Sequence, residues 1–223
     1  MRAVARGRPA RTRPGQMPGA GFTLVEMMIA LAILALLLML GIPTLSTWGM
    51  GARVNSLADF YLDGVRQARN GALQKSAASR WVLSANANGQ YDWQIDWCFP
   101  TSGSPCDTAG AWSTPLAAAA NDPNGANPSL SIFRSADSQP NAGQVAITLT
   151  PINTVSVYFN SYGWINTAVQ PYMTQLRFDA NESFNPNAAA PDIRPAAIAI
   201  NLSGIAERCD PLAAAADARA CSP

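Results

Sequence analysis

The chain of 223 residues contains no histidine. Without an imidazole there is no Ser-His-Asp or Cys-His nucleophile and no histidine-based metal cluster. The four cysteines show no Cys-x-x-Cys spacing, so a zinc site lacks its ligands. A phosphate-cradling glycine loop is also missing, because "GAGF" at 19–22 precedes an apolar run and not a strand-to-helix turn. Paired carboxylates do occur, at Asp92/Asp96 and Glu207/Asp210. The alternation around the first pair puts it on the exposed face of a strand, which suits solvation better than acid–base chemistry. No internal repeat is evident. The sequence therefore offers no catalytic residue, no metal ligand set and no cofactor site, and it reads as that of a non-enzymatic protein.

Charge is sparse and unevenly placed. Five of the fifteen basic residues (Arg2, Arg6, Arg8, Arg11 and Arg13) precede Gly21, with no acid among them. A chain cut after Gly21 keeps ten basic residues against fourteen acidic ones, a net of −4. Such a product has no global attraction for nucleic acid.

What the sequence has in excess is apolar length. From Phe22 to Ile42 it is almost wholly Leu, Ile, Ala, Val and Met. As a helix this run is about 32 Å long, enough to span a hydrocarbon core. The arginines ahead of it would stay cytoplasmic and place the rest of the chain outside. The run is too long for an ordinary secretory signal, and no small-x-small cleavage site follows it. One residue breaks it: Glu26, whose carboxylate costs about 2.5–3.5 kcal/mol at the centre of a bilayer. A glutamate reaching for headgroups from near the membrane edge is the bland alternative for it.

"GFTLVEMMIALAIL" resembles the cleavage and methylation site of type IV prepilins and type II secretion pseudopilins. That resemblance implies a leader of residues 1–21, cut by a prepilin peptidase between Gly21 and Phe22. It also implies N-methylation of the new Phe22 terminus and a retained helix that assembles into a filament. Glu26 then becomes the fifth residue, placed to meet the Phe22 amine of a neighbouring subunit and to fix register. Pro43 falls where many family members carry a kinking proline, and Gly41 beside it weakens the helix further. Met17 is an alternative start, but it leaves no basic residue before the cut.

Beyond the run, Val54, Leu57, Ala58, Tyr61, Val65, Ala68 and Ala72 recur at helical spacing, and charged or polar residues occupy much of the other side. This predicts an amphipathic continuation over 44–78, with Asp63 and Arg66 spaced to interact. The head over 79–223 is read as β-rich. Tyr91, Trp93, Ile95 and Trp97 alternate with polar residues, and Asn88-Gly89 signals a hairpin turn back to Arg80–Ser84. The aromatic stripe invites a sugar- or base-stacking role, but one buried sheet face explains it without a ligand. Residues 99–128 read as a long exposed loop. Strands follow at 130–134, 145–149, 155–160, 175–179 and 196–201, giving an α+β fold with one long helix on an antiparallel sheet of about six strands. Four cysteines allow three disulfide connectivities. Short loops favour Cys98–Cys106 and Cys209–Cys221, while four buried thiols would also fit the composition.

"GVRQARNGALQKSA", "VYFNSYGW" and "IAINLSGIAERC" resemble segments of the FimT, FimU and GspH group. The resemblance implies a minor type IV pilin or an H-type minor pseudopilin. Its partners would be other pilins or pseudopilins, the prepilin peptidase and an inner-membrane assembly platform. It would be single-pass in the inner membrane, with its head in the periplasm and later in a pilus or pseudopilus. Some relatives bind DNA through arginines after the last glycine turn. Here Arg208 and Arg219 are diluted by Glu207, Asp210 and Asp217, so nucleic acid is not expected as a partner.

Overall fold

A computed structural model describes residues 22–101, 103, 105–124, 131–186 and 191–221, with the side chains at 40–44 outside that description. The chain divides into two compact units between Pro43 and Thr44. Helix α1 (Leu24–Lys75, 52 residues) contributes to both.

In the first unit, the large apolar side chains from Leu24 to Met39 are exposed around the whole helix. A helix that is apolar on every side has no inward face of its own and is of the kind buried all round in a large core or a membrane. In the second unit α1 has one buried face, and Val54, Leu57, Ala58, Tyr61, Val65, Ala68 and Ala72 all lie on it. The helix ends where Ser76 turns left-handed (φ 50°). Ala77 N–H reaches the Ala72 carbonyl and Ser76 N–H the Leu73 carbonyl, which satisfies two of the last orphan acceptors.

Eight described strands form two four-stranded antiparallel sheets, where the alternation pattern predicts one sheet of about six. The first has the order β3 (Ile132–Arg134), β2 (Tyr91–Cys98), β1 (Ala78–Ala85), β5 (Ser156–Phe159). The second runs β4 (Val145–Thr150), β6 (Gln175–Ala180), β7 (Ala196–Ile200), β8 (Ala206–Cys209). The chain enters the second sheet at β4 and returns for β5, a crossover that periodicity cannot reveal. Strand β8 escapes a hydropathy reading because it is four residues long, with Glu207 and Arg208 both exposed. Leu130, expected to open β3, lies outside the described residues.

The two sheets and α1 share one core. Tyr61 on the helix stacks on Phe178 of the second sheet at 5.7 Å and meets Trp81 of the first edge-on at 6.2 Å. Its hydroxyl donates to the Tyr91 carbonyl (2.7 Å) and accepts from the Tyr91 N–H (3.2 Å). The stripe of Trp93, Ile95 and Trp97 is buried, with Tyr91 half-buried beside it. Two helix glycines make room for these rings. A Cβ at Gly64 would come within 2.6 Å of Trp81 Nε1, and one at Gly71 within 2.0 Å of Trp97 Cη2.

Three expectations are corrected here. Asp96 is not on an exposed face: it is fully buried and paired with Arg80 Nε at 2.7 Å, while Gln94 Nε2 donates to both its oxygens. The reason is that the segment after Cys98 folds back over that face. Trp112 lies under Arg80 (4.8 Å to the ring centroid) and edge-on to Tyr158, and Ser113 exchanges two backbone bonds with Trp97. This stretch is therefore in part a cover, with Trp112, Ser113 and Asp122 buried among exposed neighbours, while residues 102, 104 and 125–128 lie outside the described residues. Lastly, Asp63 accepts from Gln67 Nε2 at 2.5 Å, and Arg66 reaches across to the Ala206 carbonyl at 3.4 Å.

Three connections have the same build. In Asn86–Gln90, Asn160–Trp164 and Asn201–Ile205 the leading Asn gives its N–H to the fifth residue's carbonyl. Its side-chain oxygen accepts that residue's N–H in return. The fourth residue is always a glycine at positive φ: Gly89, Gly163 and Gly204. The last two of these turns pack together, for a Cβ on Gly204 would lie 2.1 Å from the Gly163 carbonyl oxygen.

Candidate processing and assembly site

The amino-terminal site begins at Gly21, which lies outside the described residues. Phe22 and Thr23 precede α1 in non-helical conformation, and Phe22 is exposed. Thr23 is the N-cap: its Oγ1 accepts the Glu26 N–H at 3.2 Å, and its carbonyl takes the Met27 N–H at 3.1 Å. Thr23-x-x-Glu26 therefore has capping-box spacing, and the structure makes the threonine half of it. Capping-box spacing is the sequence signal for this role, which a reading of Glu26 from hydropathy alone passes over.

The cap changes the account of Glu26 only in part. An acid in the first turn gains about 0.3–1 kcal/mol from the helix dipole. That is less than the roughly 2.5–3.5 kcal/mol of placing a carboxylate in an apolar medium. In the isolated chain Glu26 is exposed and the conflict does not arise. Capping alone cannot hold it in an apolar assembly.

Gly41 and Pro43 fall within α1, their side chains outside the described residues, and the division into two units comes directly after Pro43. Among the described residues, no helix is long and apolar enough to cross a membrane. The fully described apolar stretch, Leu24 to Met39, is about 24 Å long at the helical rise, short of a hydrocarbon core of roughly 30 Å.

Elsewhere Glu207 is exposed on β8, while the cysteines and several other polar candidates are engaged in structure. Cys98 is bonded to Cys106 and Cys209 to Cys221. Arg208 meets Asp59 at 3.1 Å and also bonds Asn55, Arg194 meets Asp210 at 2.9 Å, and Arg219 meets Asp217 at 2.8 Å. The hydrogen bonds from Arg219 hold the Asp217 carboxyl down at about 2. These arginines line a cleft of about 740 Å³ between Thr47–Asn55 of α1 and the carboxy-terminal disulfide loop. Asp92 clips the chain after β3, accepting from Ala136 N–H at 2.8 Å. Among the described residues, no three His, Cys, Asp or Glu side chains converge on a point that could hold a metal ion.

Residues 19–42 match the family described as the prokaryotic N-terminal methylation motif. The chain carries a type IV pilin-like prepilin cleavage and methylation site. This motif covers the Gly21–Phe22 bond, the Thr23 cap, Glu26 and the exposed apolar helix in one span. It points to a structural, membrane-anchored class of protein that is processed by a prepilin peptidase and assembles with pilins or pseudopilins. The chain matches no curated protein and no solved structure.

Proposed function

We propose that this protein is a minor type IV pilin, which assembles through α1 and helps to initiate or cap a pilus. The observation that carries the reading is the methylation motif set on a helix whose apolar side chains are exposed all round. In this reading the leader, residues 1–21, is removed at Gly21–Phe22 and Phe22 is methylated. Residues 22–43 anchor the chain once across the inner membrane before forming the filament core. Residues 44–78 continue the helix, Gly41 and Pro43 let it bend, and the head over 79–223 stands in the periplasm. Burial of the new Phe22 ammonium in a filament is costly without a partner, and Glu26 of an adjoining subunit supplies one.

The same motif serves an H-type minor pseudopilin of type II secretion. The matched Asn-x-x-Gly turns at 160–164 and 201–205 keep that reading open, because they realise the two segments that resemble the FimT, FimU and GspH group. A DNA-capturing pilin is disfavoured. Arg208 and Arg219 are already engaged by carboxylates, and phosphate binding needs several free basic contacts acting together.

The test is Glu26→Ala in cells expressing the complete filament machinery. An unpaired buried ammonium costs about 3–5 kcal/mol, so the variant should insert in the membrane at normal levels but be nearly absent from sheared filaments. Incorporation equal to that of the unaltered chain would remove the charge-pairing argument.

A further inference from the structure

Between Glu26 and Arg53 the sequence contains no charged residue. The apolar run stops at Ile42, yet ten more uncharged residues follow it. Within them Leu45 and Trp48 lie three apart, on one face of α1. They are 66% and 75% exposed, whereas Met50 is 4% exposed and belongs to the core of the head. A Cβ added at Gly49 or Gly51 would meet nothing within 4 Å, and Trp48 borders the open cleft described above. A large indole is thus left uncovered just where the exposed apolar helix gives way to the head.

The position suits the edge of a bilayer. Trp48 is six residues beyond Ile42, about 9 Å along a helix. The polar layers of a bilayer add roughly 5–8 Å on each side of the hydrocarbon. A helical side chain leans back toward the amino terminus, which carries the Trp48 ring from its Cα level toward that layer. Tryptophan concentrates at this level because its ring is apolar and its N–H seeks a polar partner. The arginines in the nearby cleft are paired with carboxylates and add no net attraction.

We propose that Trp48, with Leu45 on the same face, is an interfacial anchor that seats in the phospholipid headgroup layer of the membrane before assembly. This rests on the membrane-anchored reading given above. The anchor sets how deeply the helix sits, and so the level at which Phe22 and Glu26 are presented on the opposite side. Entry into a filament must then withdraw Trp48 from lipid.

The experiment uses the full chain in vesicles of phosphatidylcholine and phosphatidylglycerol, with Trp164→Phe to remove the other strongly exposed indole. Trp48 emission is measured with phospholipids brominated near the headgroup end or near the methyl end of the acyl chain. The expected result is strong quenching by the first, little by the second, and loss of the lipid-dependent component in Trp48→Phe. Equal emission with and without brominated lipid overturns the anchor, and places Trp48 in water or against a second copy. Flotation and resistance to alkaline extraction of the same vesicles test the underlying reading separately. A chain that floats and resists extraction but is unquenched sinks the anchor alone, and one that fails to float sinks both.

Discussion

At the scale of single residues, the head is specified by where side chains are withheld as much as by where they are large. Gly64 and Gly71 sit two helical turns apart against the tryptophan stripe. Gly71→Ala should gain about 1 kcal/mol in helix propensity but force a methyl group into Trp97, and overpacking of this kind costs about 1–3 kcal/mol or more. We predict net destabilisation, read as a lowered denaturation midpoint. Gly51→Ala, on the same helix with open space around it, should raise the midpoint instead. Equal effects from the two changes would show that helix propensity, and not ring packing, dominates.

Tyr61 gives a second residue-scale prediction. Burial is the main cause that pushes its hydroxyl well above the ordinary value of 10.0, and the Tyr91 backbone opposes that rise only in part. The folded state therefore holds this proton more tightly than the unfolded state. Its contribution to stability is complete below about pH 10 and is lost as pH climbs beyond it. In an alkaline ultraviolet titration one tyrosine should ionise only together with loss of the near-ultraviolet circular dichroism signal. Ionisation of all tyrosines with the fold intact would contradict the burial of Tyr61. In Tyr61→Phe, which strands the Tyr91 N–H and carbonyl, that late step should disappear.

At the scale of elements, the amphipathic half of α1 and the alternation in β2 were legible because each follows a single period against one core. The cover over the back of the first sheet was not, since its composition is that of a surface loop and its packing depends on Arg80, Asp96 and Trp112 meeting across distant segments. The division into two sheets was hidden for a related reason: pairing partners far apart in the chain leave no mark on local hydropathy. Asp96→Ala tests the cover. Removing one partner of a buried pair costs about 3 kcal/mol or more, so the variant should be strongly destabilised, with hydrogen exchange rising first around Trp112 and Ser113. Unchanged protection in that segment would mean that the disulfide to Cys106 and the backbone bridge hold it without the ion pair.

At the scale of the whole molecule, the assembly site was legible almost entirely at its amino-terminal end. The spacing of Gly21, Phe22, Thr23 and Glu26 before an apolar helix is a local pattern, and it is the segment that matches a described family. The Thr23 cap shows that Glu26 has a small structural use in the isolated helix. In the proposed filament, a partner from another chain would make up the mismatch between that gain and the expense of burying a carboxylate. Among the described residues of the head, the four cysteines and Arg194, Arg208 and Arg219 are engaged in holding the head's own segments together.

The central claim is that the apolar helix survives processing with a new, methylated terminus at Phe22. Intact-mass and amino-terminal peptide analysis of the protein recovered from native filaments or membranes tests it most directly. The account predicts a polypeptide that starts at Phe22, bears one added methyl group on its amino nitrogen, and contains both disulfides. Recovery of the chain with Arg2 through Arg13 still attached, or starting beyond Pro43, would contradict it.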